Sequence, residues 1–359
     1  MSRGTAALID LAALRHNFAR ARSAAPRSTV VAVIKANGYG HGAVPVARAL
    51  DDAPALAVSV MEEAQVLREA GETRPVIVLQ GPVEQEDLQT AAQQNLTLVV
   101  HAPWQVELVG GWRSAAFTVW IKLDTGMHRL GLPAARAAWA WQRLQASPHV
   151  RLAGWMTHLA CADELDPEPT RAQLARFAAI VDACPAPRSI ANSAGILAWP
   201  QTHTEQVRAG IMLYGASAFA HRSAQELGLR PVMTLTSRII DVHQFAAGES
   251  VGYGATFRCP EDMPVGVVAV GYGDGYPRHA PNGTPVLVNG RRARLAGRVS
   301  MDMLSVDLRG VGPVRPGDPV VLWGDGLPCD EVARAAGTIA YELFCGVTAR
   351  VPRLYRDQR

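Results

Sequence analysis

Eight short apolar runs, each followed by a turn and a helical pattern, constrain the fold of this 359-residue chain more than any other feature. The runs fall at 30–37, 55–60, 75–80, 96–101, 117–125, 152–159, 188–193 and 207–213, with helical stretches between them such as 43–50, 62–70, 134–145 and 170–183. Strands that alternate with helices specify a parallel sheet, because a parallel pair needs a long crossover and a helix usually supplies it. The run VVAVI at 30–34 is apolar at every position rather than at alternate ones, as expected of strands covered on both faces. An open, doubly wound sheet satisfies the same periodicity. Eight similar units over about 210 to 220 residues, with no G-x-G-x-x-G after the first strand, favour closure into a (β/α)8 TIM-type barrel.

Beyond about residue 227 the texture changes to short β-branched runs at 233–242, 265–270, 285–288, 303–307 and 319–322, separated by glycine and proline turns. One helical stretch, 328–336, interrupts them. The expected organisation is α/β: an N-terminal barrel at 1–226 and a C-terminal all-β domain at 227–359, with the first ten or so residues candidates to join the β domain. No internal repeat of solenoid length is visible.

An apolar share of 48% with 19% charged residues is that of a soluble globular protein. No run reaches the roughly 18 apolar residues of a membrane span, and Asp10, Arg15 and Arg20 interrupt any signal-peptide core. A cytoplasmic protein is expected. The five cysteines are odd in number and scattered, with no C-x-x-C pair, so reduced thiols are expected and no metal site. A net charge of +3, and arginine clusters at Arg291, Arg292, Arg294 and at Arg350, Arg353, Arg356, Arg359 without interleaved aromatics, argue against nucleic-acid binding. Those clusters read as solvated faces or partner contacts.

Only two lysines occur, Lys35 and Lys122, among 35 basic residues. Arginine supplies surface charge equally well but stays protonated, so it cannot act as a nucleophile or a proton-transfer base. Both lysines end apolar strands, Lys35 in VVAVIKAN before the loop GYGHG and Lys122 in FTVWIKLDTG. In a closed barrel the reactive groups collect at those carboxyl ends, and phosphate is commonly held after strands 7 and 8. The other strand ends carry Tyr39 and His41, Asp124 and Arg129, His158, Asn192, Ser193 and Gly195, and Arg208 with Gly210. Each has a bland reading: a lysine paired with a carboxylate, GYGHG as a plain turn, His158 as a core histidine, Arg129 and Arg208 neutralising acids such as Asp124. Together, an amine and a seat for a phosphate monoester at one barrel mouth are the layout expected for pyridoxal phosphate.

VVAVIKANGYGHG resembles the cofactor-attachment segment of the alanine racemases, fold-type III pyridoxal phosphate enzymes. KLDTGMHRLG at 122–131, THLACAD at 157–163, NSAG at 192–195, VRAGIMLYG at 207–215, VGYGAT at 251–256, GYGDGYPR at 271–278, GRVSMD at 297–302 and TIAYEL at 338–343 resemble further segments of that family, in order and across both expected domains.

The resemblance implies a pyridoxal 5'-phosphate enzyme interconverting L- and D-alanine, a homodimer with shared active sites that supplies or consumes D-alanine for cell-wall peptidoglycan. By the same resemblance Lys35 attaches the cofactor and is one catalytic base, and Tyr253, from the other subunit, is the second. Arg208 faces the ring nitrogen; Tyr39, Ser193, the Gly210 and Ile211 backbone and Tyr341 hold the phosphate; His158 packs near the ring. Arg129 and the Met301 backbone of the other subunit meet the substrate carboxylate. The lysine matching Lys122 is carbamylated in some members, making Lys122 a candidate N6-carboxylysine. Two positions depart from the family pattern: Gly273 stands where alanine is usual, and Ser189 where some members place a histidine that supports the catalytic tyrosine. Fold-type III decarboxylases share the two-domain plan and non-catalytic cofactor carriers share the barrel, but the segments around Tyr253, Arg208 and Tyr341 resemble the racemases.

Overall fold

In the computed structural model, which describes residues 3–357, the chain opens with strand β1 (Ala6–Asp10) and a helix, Leu11–Ala24. Asp10 ends one and starts the other: its carboxylate accepts the Ala13 N–H at 2.8 Å, satisfying one of the helix's unpaired donors. Eight strands then form a parallel barrel: β2 (Thr29–Val33), β3 (Ala55–Val58), β4 (Val76–Val78), β5 (Leu96–Val100), β6 (Phe117–Lys122), β7 (Val150–Met156), β8 (Arg188–Ser189) and β9 (Gln206–Ala209). Val31 on β2 lies opposite Ala55 of β3 on one side and Arg208 of β9 on the other, so the ring is shut and an open sheet is excluded.

Each expected run supplies a barrel strand, but most strands stop short of the run's end. The residues that follow leave the sheet, and several of them, among them Lys35, Ser59, Gln80, His158 and Ser193, line the barrel mouth. The extreme case is β8, two residues long. Beyond it the backbone turns away and the Asn192 side chain accepts from Gly195 N–H at 3.0 Å, starting the helix Ser193–Ala198.

The remaining strands are β10 (Met233–Phe245), β11 (Ser250–Val251), β12 (Phe257–Arg258), β13 (Met263–Val268), β14 (Pro285–Val288), β15 (Arg291–Leu295), β16 (Leu304–Asp307), β17 (Pro319–Trp323) and β18 (Arg353–Arg356). The order β10-β13-β16-β15-β14-β17 returns to β10, so this antiparallel sheet also closes on itself. Strand β10 serves both ends of that circuit because a register shift between Ile239 and Asp241 redirects it from β17 to β13. Strand β1 adds to β10, and β18 to β1, so the start and end of the described chain are tied into the C-terminal sheet.

Strand β15 is hidden in the sequence because RRARL reads as a basic cluster. Its inward positions, Ala293 and Leu295, are buried while its arginines face outward, and Arg292 Nη2 pairs with Glu331 at 2.8 Å. Arg359 of the second arginine cluster lies outside the described residues. One buried apolar cluster runs from barrel to sheet, from Leu14 and Phe18 to Leu322 and Trp323. The helix Ala340–Gly346 leans from the C-terminal part over the barrel mouth, where Phe344 packs edge-on against His41 at 5.0 Å between centroids. Among the described residues no helix is long and apolar enough to cross a membrane.

Candidate active site

The barrel mouth holds a cavity of about 460 Å³. Lys35, Tyr39, Lys122, Arg129, His158, Ser193, Arg208, Gly210, Ile211 and Tyr341 all line it. Sequence expectation thus assembles at one point from five barrel strands and the helix Ala340–Gly346. Tyr253 and Met301 do not line this cavity; they stand on the C-terminal part, 67% and 53% exposed.

Lys35 does not sit on β2 itself. The strand ends at Val33, and Lys35 opens a turn in which Ala36, Asn37, Gly38 and Tyr39 all take left-handed backbone angles, with φ of 52°, 53°, 62° and 49°. A non-glycine residue there costs about 1–2 kcal/mol, and three of the four are not glycine. Two neighbouring hydrogen bonds support the turn, Gly38 N–H to Ile34 O at 2.8 Å and Gly40 N–H to Ala36 O at 2.9 Å. Gly40 is obligatory for a different reason: a Cβ there would lie 2.0 Å from Phe344 O. The turn swings Tyr39 under the mouth, where its ring stacks on Tyr214 at 4.6 Å. His41, fully buried behind it and pressed by desolvation down to a pKa of about 4, is a neutral packing residue that points its Nδ1 at Tyr39 O.

The cavity is strongly cationic. Arg208, 4% exposed, donates through Nη1 to Ser189 O at 2.9 Å and Ser189 Oγ at 2.7 Å, and through Nη2 to Thr157 O at 2.7 Å. Burial brings its pKa down to about 10, so it remains a cation at neutral pH. No described residue accepts from its Nε. In this chain Ser189 therefore serves Arg208, accepting from it through both its hydroxyl and its carbonyl. His158 Nδ1 lies 3.4 Å from Arg208 Nη2, and burial followed by Arg208 and the other cations holds its pKa far below the ordinary value, so its ring is neutral.

Neither lysine amine makes a hydrogen bond or ion pair with another described residue, so the carboxylate-paired reading does not apply. Burial first, then Arg129, lowers the pKa of Lys35, with Arg208 adding to the effect and Glu63 and Cys345 opposing it. Lys122 falls to about 8 through burial, then through Arg208, Arg129 and Lys35. Asp124 is engaged elsewhere: it accepts from Gly126 and His128 N–H at 3.0 Å and faces the His128 ring. Arg129 is exposed and free of ion pairs among the described residues.

At the opposite wall Ser193 Oγ accepts from Gly210 N–H at 3.0 Å, and the Tyr39 hydroxyl stands 2.8 Å from where a Gly210 Cβ would be. Position 210 therefore has room for the hydroxyl only because it is glycine. Neither the Tyr39 nor the Tyr341 hydroxyl bonds to another described residue. Hydroxyls and backbone N–H groups around a small opening form a donor set that fits a phosphate monoester. An amine at one end, a buried guanidinium with its Nε unused and a phosphate seat at the other fit pyridoxal phosphate in chemistry and size.

Tyr253 lies between β11 and β12, where Gly252 and Gly254, with φ of 74° and 73°, fold the chain into a projecting tip. The Met301 carbonyl accepts Gly273 N–H at 2.8 Å. At Gly273 a Cβ would meet the tip of the flexible Arg350 side chain at 2.5 Å and the Met301 carbonyl at 3.0 Å. Sequence reasoning missed two cavity neighbours. Cys345 lines the mouth but carries no motif. Glu63 accepts from Ala36 N–H and Ser59 N–H, yet reads in the sequence as an ordinary acid in the first turn of a helix.

Residues 9–218 match the family described as "Alanine racemase, N-terminal domain", and residues 232–355 match "Alanine racemase, C-terminal domain". The chain is 53% identical over 356 residues to the alanine racemase of Halorhodospira halophila, covering 98% of each. It is 50% identical to "Alanine racemase, biosynthetic" of Pseudomonas aeruginosa, over 97% of this chain and 98% of that one. The crystal structure of the biosynthetic alanine racemase from Pseudomonas aeruginosa superposes with a TM-score of 0.95 at 49% identity, covering 99% of both chains. The alanine racemase structure from Acinetobacter baumannii gives 0.93 at 36% identity, over 99% of this chain and all of that one. With both family halves matched in order and near-complete coverage at about half identity, the chain belongs to the alanine racemase family.

Proposed function

We propose that the protein is a pyridoxal 5'-phosphate-dependent isomerase that interconverts L- and D-alanine in the cytoplasm and provides or removes D-alanine for cell-wall peptidoglycan. The observation that carries this reading is the joint presence, in one cavity, of a depressed-pKa lysine, an arginine that stays protonated and whose Nε has no acceptor among the described residues, and a phosphate-sized donor set. Lys35 Nζ is the amine for the cofactor's aldehyde, Arg208 is the partner of its ring nitrogen, and His158 flanks the ring. Tyr39, Ser193, the Gly210 and Ile211 backbone and Tyr341 hold its phosphate. When bound, the cofactor delocalises the electron pair left on the substrate carbon after its proton is removed.

Inverting a carbon requires a proton to leave from one face and another to arrive on the opposite face. Lys35 Nζ handles one face; burial and the Arg129 guanidinium lower its pKa and so favour the neutral amine more than in a free lysine. Tyr253 of the partner subunit handles the other. Its exposure on a projecting tip away from this chain's own cavity supports a homodimer with shared sites, as does the similar exposure of Met301. Arg129, without an ion pair among the described residues, takes the substrate carboxylate together with the Met301 backbone of the partner subunit. Arg208, which stays charged and offers only N–H donors, would face the cofactor's ring nitrogen as a donor and would not protonate it. Lys122 is a buried amine with a pKa of about 8 among cations; its neutral form adds to carbon dioxide, forming a C–N bond and releasing a proton to water, to give an anionic N6-carboxylysine that braces Arg129.

The test is a chiral assay of the purified protein with added cofactor and L-alanine. D-alanine accumulates to an equal mixture of enantiomers. Release of carbon dioxide without D-alanine rejects the racemase reading in favour of a decarboxylase, and absence of any turnover in a cofactor-loaded protein rejects catalysis.

A further inference from the structure

Glu63 is placed where an ordinary helix-start acid would not need to be. One carboxylate oxygen accepts from Ser59 N–H at 2.7 Å, the common reach of a third-position acid back to the residues before its own helix, Met61–Glu69. The other crosses to the next strand end and accepts from Ala36 N–H at 2.5 Å. Ala36 is the first of the left-handed residues and directly follows Lys35. Neither N–H has a backbone acceptor among the described residues, so the carboxylate ties together the loops that follow β2 and β3 and closes the donor left open by the left-handed turn. The groups acting on the Lys35 amine are Arg129 and Lys122 at the end of β6, Arg208 on β9, Cys345 on the helix Ala340–Gly346, His158 after β7, and Glu63. Glu63 is the carboxylate among them.

We propose that Glu63 is a positioning residue for Lys35: its carboxylate holds the strained turn that sets where the lysine side chain leaves the backbone, and its charge sets how readily the amine gives up its proton. The inference deepens the reading of Lys35 as a catalytic amine and rests on it for its effect on turnover, but not for its effect on the amine itself. A glutamine at 63 offers one acceptor oxygen in place of two and carries no charge. An aspartate keeps the charge but is one methylene too short to bridge both loops.

With two lysines in the chain, the amine can be read directly. The full-length protein, purified without cofactor, is pulse-labelled with acetic anhydride across pH, and the Lys35 and Lys122 peptides are quantified by mass spectrometry. In Glu63→Gln, with carbon dioxide removed beforehand so that Lys122 carries a bare amine, the labelling midpoint of Lys35 moves down by about one pH unit, the low end of the effect of removing an opposite charge, while that of Lys122 stays in place. In Glu63→Asp the Lys35 midpoint stays near wild type. In the cofactor-loaded enzyme both variants lose about tenfold or more in kcat with alanine KM within about twofold, the pattern of a misplaced reacting group, and only Glu63→Gln shifts the acid limb of the pH profile downward. An unchanged Lys35 midpoint in folded Glu63→Gln overturns the proposal, as does an equal shift at Lys122, which marks a general loosening. Should Glu63→Gln fail to fold, Glu63→Asp decides on position: full kcat in that variant overturns it. A Lys35-specific shift in a wild-type protein that racemises nothing leaves this inference standing and removes the reaction reading instead.

Discussion

Replacing Ser189 with alanine tests how the buried guanidinium is held, and its effect can be worked out from the local geometry. The Ser189 hydroxyl is completely buried and accepts from Arg208 Nη1 at 2.7 Å. Ser189→Ala removes that bond, but Nη1 keeps Ser189 O at 2.9 Å and Nη2 keeps Thr157 O at 2.7 Å, so the charge is not orphaned. The loss is then that of one hydrogen bond to a charged group, about 1.5–3 kcal/mol. The lower half of that range is expected, because the small void left by an oxygen adds little and a second acceptor remains on the same nitrogen. A change of about 2 kcal/mol lowers the folded-to-unfolded ratio roughly thirtyfold. Urea unfolding followed by tryptophan fluorescence, at fixed protein and cofactor concentrations because both enter the equilibrium, should show a lower midpoint with an unchanged slope. Turnover should fall less than about tenfold, since the remaining acceptors keep the guanidinium in place. A midpoint equal to wild type would refute the reasoning: it would mean that the serine hydroxyl carries no part of the Arg208 anchorage.

Further outcomes follow from the same site. In buffer freed of carbon dioxide, where Lys122 keeps a bare amine, its folded pKa of about 8 against an ordinary 10.5 means that between those values the unfolded chain binds more protons than the folded one, and stability should rise with pH across that window. Lys122→Met should flatten that rise, and an identical pH slope in urea titrations of the two proteins would contradict the assignment. Lys35→Ala should abolish the visible absorbance of the cofactor joined to a lysine amine, whereas an unaltered spectrum would put the attachment elsewhere. Lys35→Ala and Tyr253→Phe proteins, each inactive alone, should regain about a quarter of wild-type activity when refolded together in equal amounts, because half the random dimers carry one intact site of two; no recovery would count against a site completed by the partner. Gly40→Ala should destabilise by roughly 3 kcal/mol or more, since a Cβ would sit 2.0 Å from Phe344 O at a φ of 78°, and an unchanged unfolding midpoint would deny that close approach.

The barrel was legible because strands covered on both faces are largely apolar, as in VVAV of β2 and VIV of β4, and because eight such runs alternate with helical stretches. Strand lengths were not legible: nothing in the composition of residues 188–193 tells that pairing stops at Ser189, because Asn192 is recruited to cap a helix only once the fold brings it there. Strands β15 and β18 were hidden by their arginines, whose charge dominates a pattern in which only alternate positions need be apolar. Glycines 38, 40 and 42 announced a turn with positive φ, yet the left-handed path also takes Ala36 and Tyr39, residue types that give no warning of it. The cavity residues were readable as strand ends, whereas the roles of Tyr253 and Met301 came only through family resemblance, since no periodicity links the tip of a distant hairpin to Lys35. Glu63 escaped for a related reason: a helix-start acid looks the same whether one or both of its oxygens are used.

The scarcity of lysine finds its physical counterpart in the cavity, where both lysines and a buried arginine experience much the same field. Burial and neighbouring cations bring Lys122 to about 8, whereas burial brings Arg208 only to about 10. At pH 7 the first holds a free amine in roughly a tenth of molecules and the second is deprotonated in about a thousandth, a consequence of the different starting points of ammonium and guanidinium. One environment thus yields groups that can lose a proton and a group that cannot. The proposed reaction, which moves protons while holding a fixed charge beside a ring nitrogen, would need both kinds side by side. Substituting arginine for either lysine would keep the charge count and remove the amine chemistry, which is why the bias toward arginine elsewhere in the chain stops at these two positions.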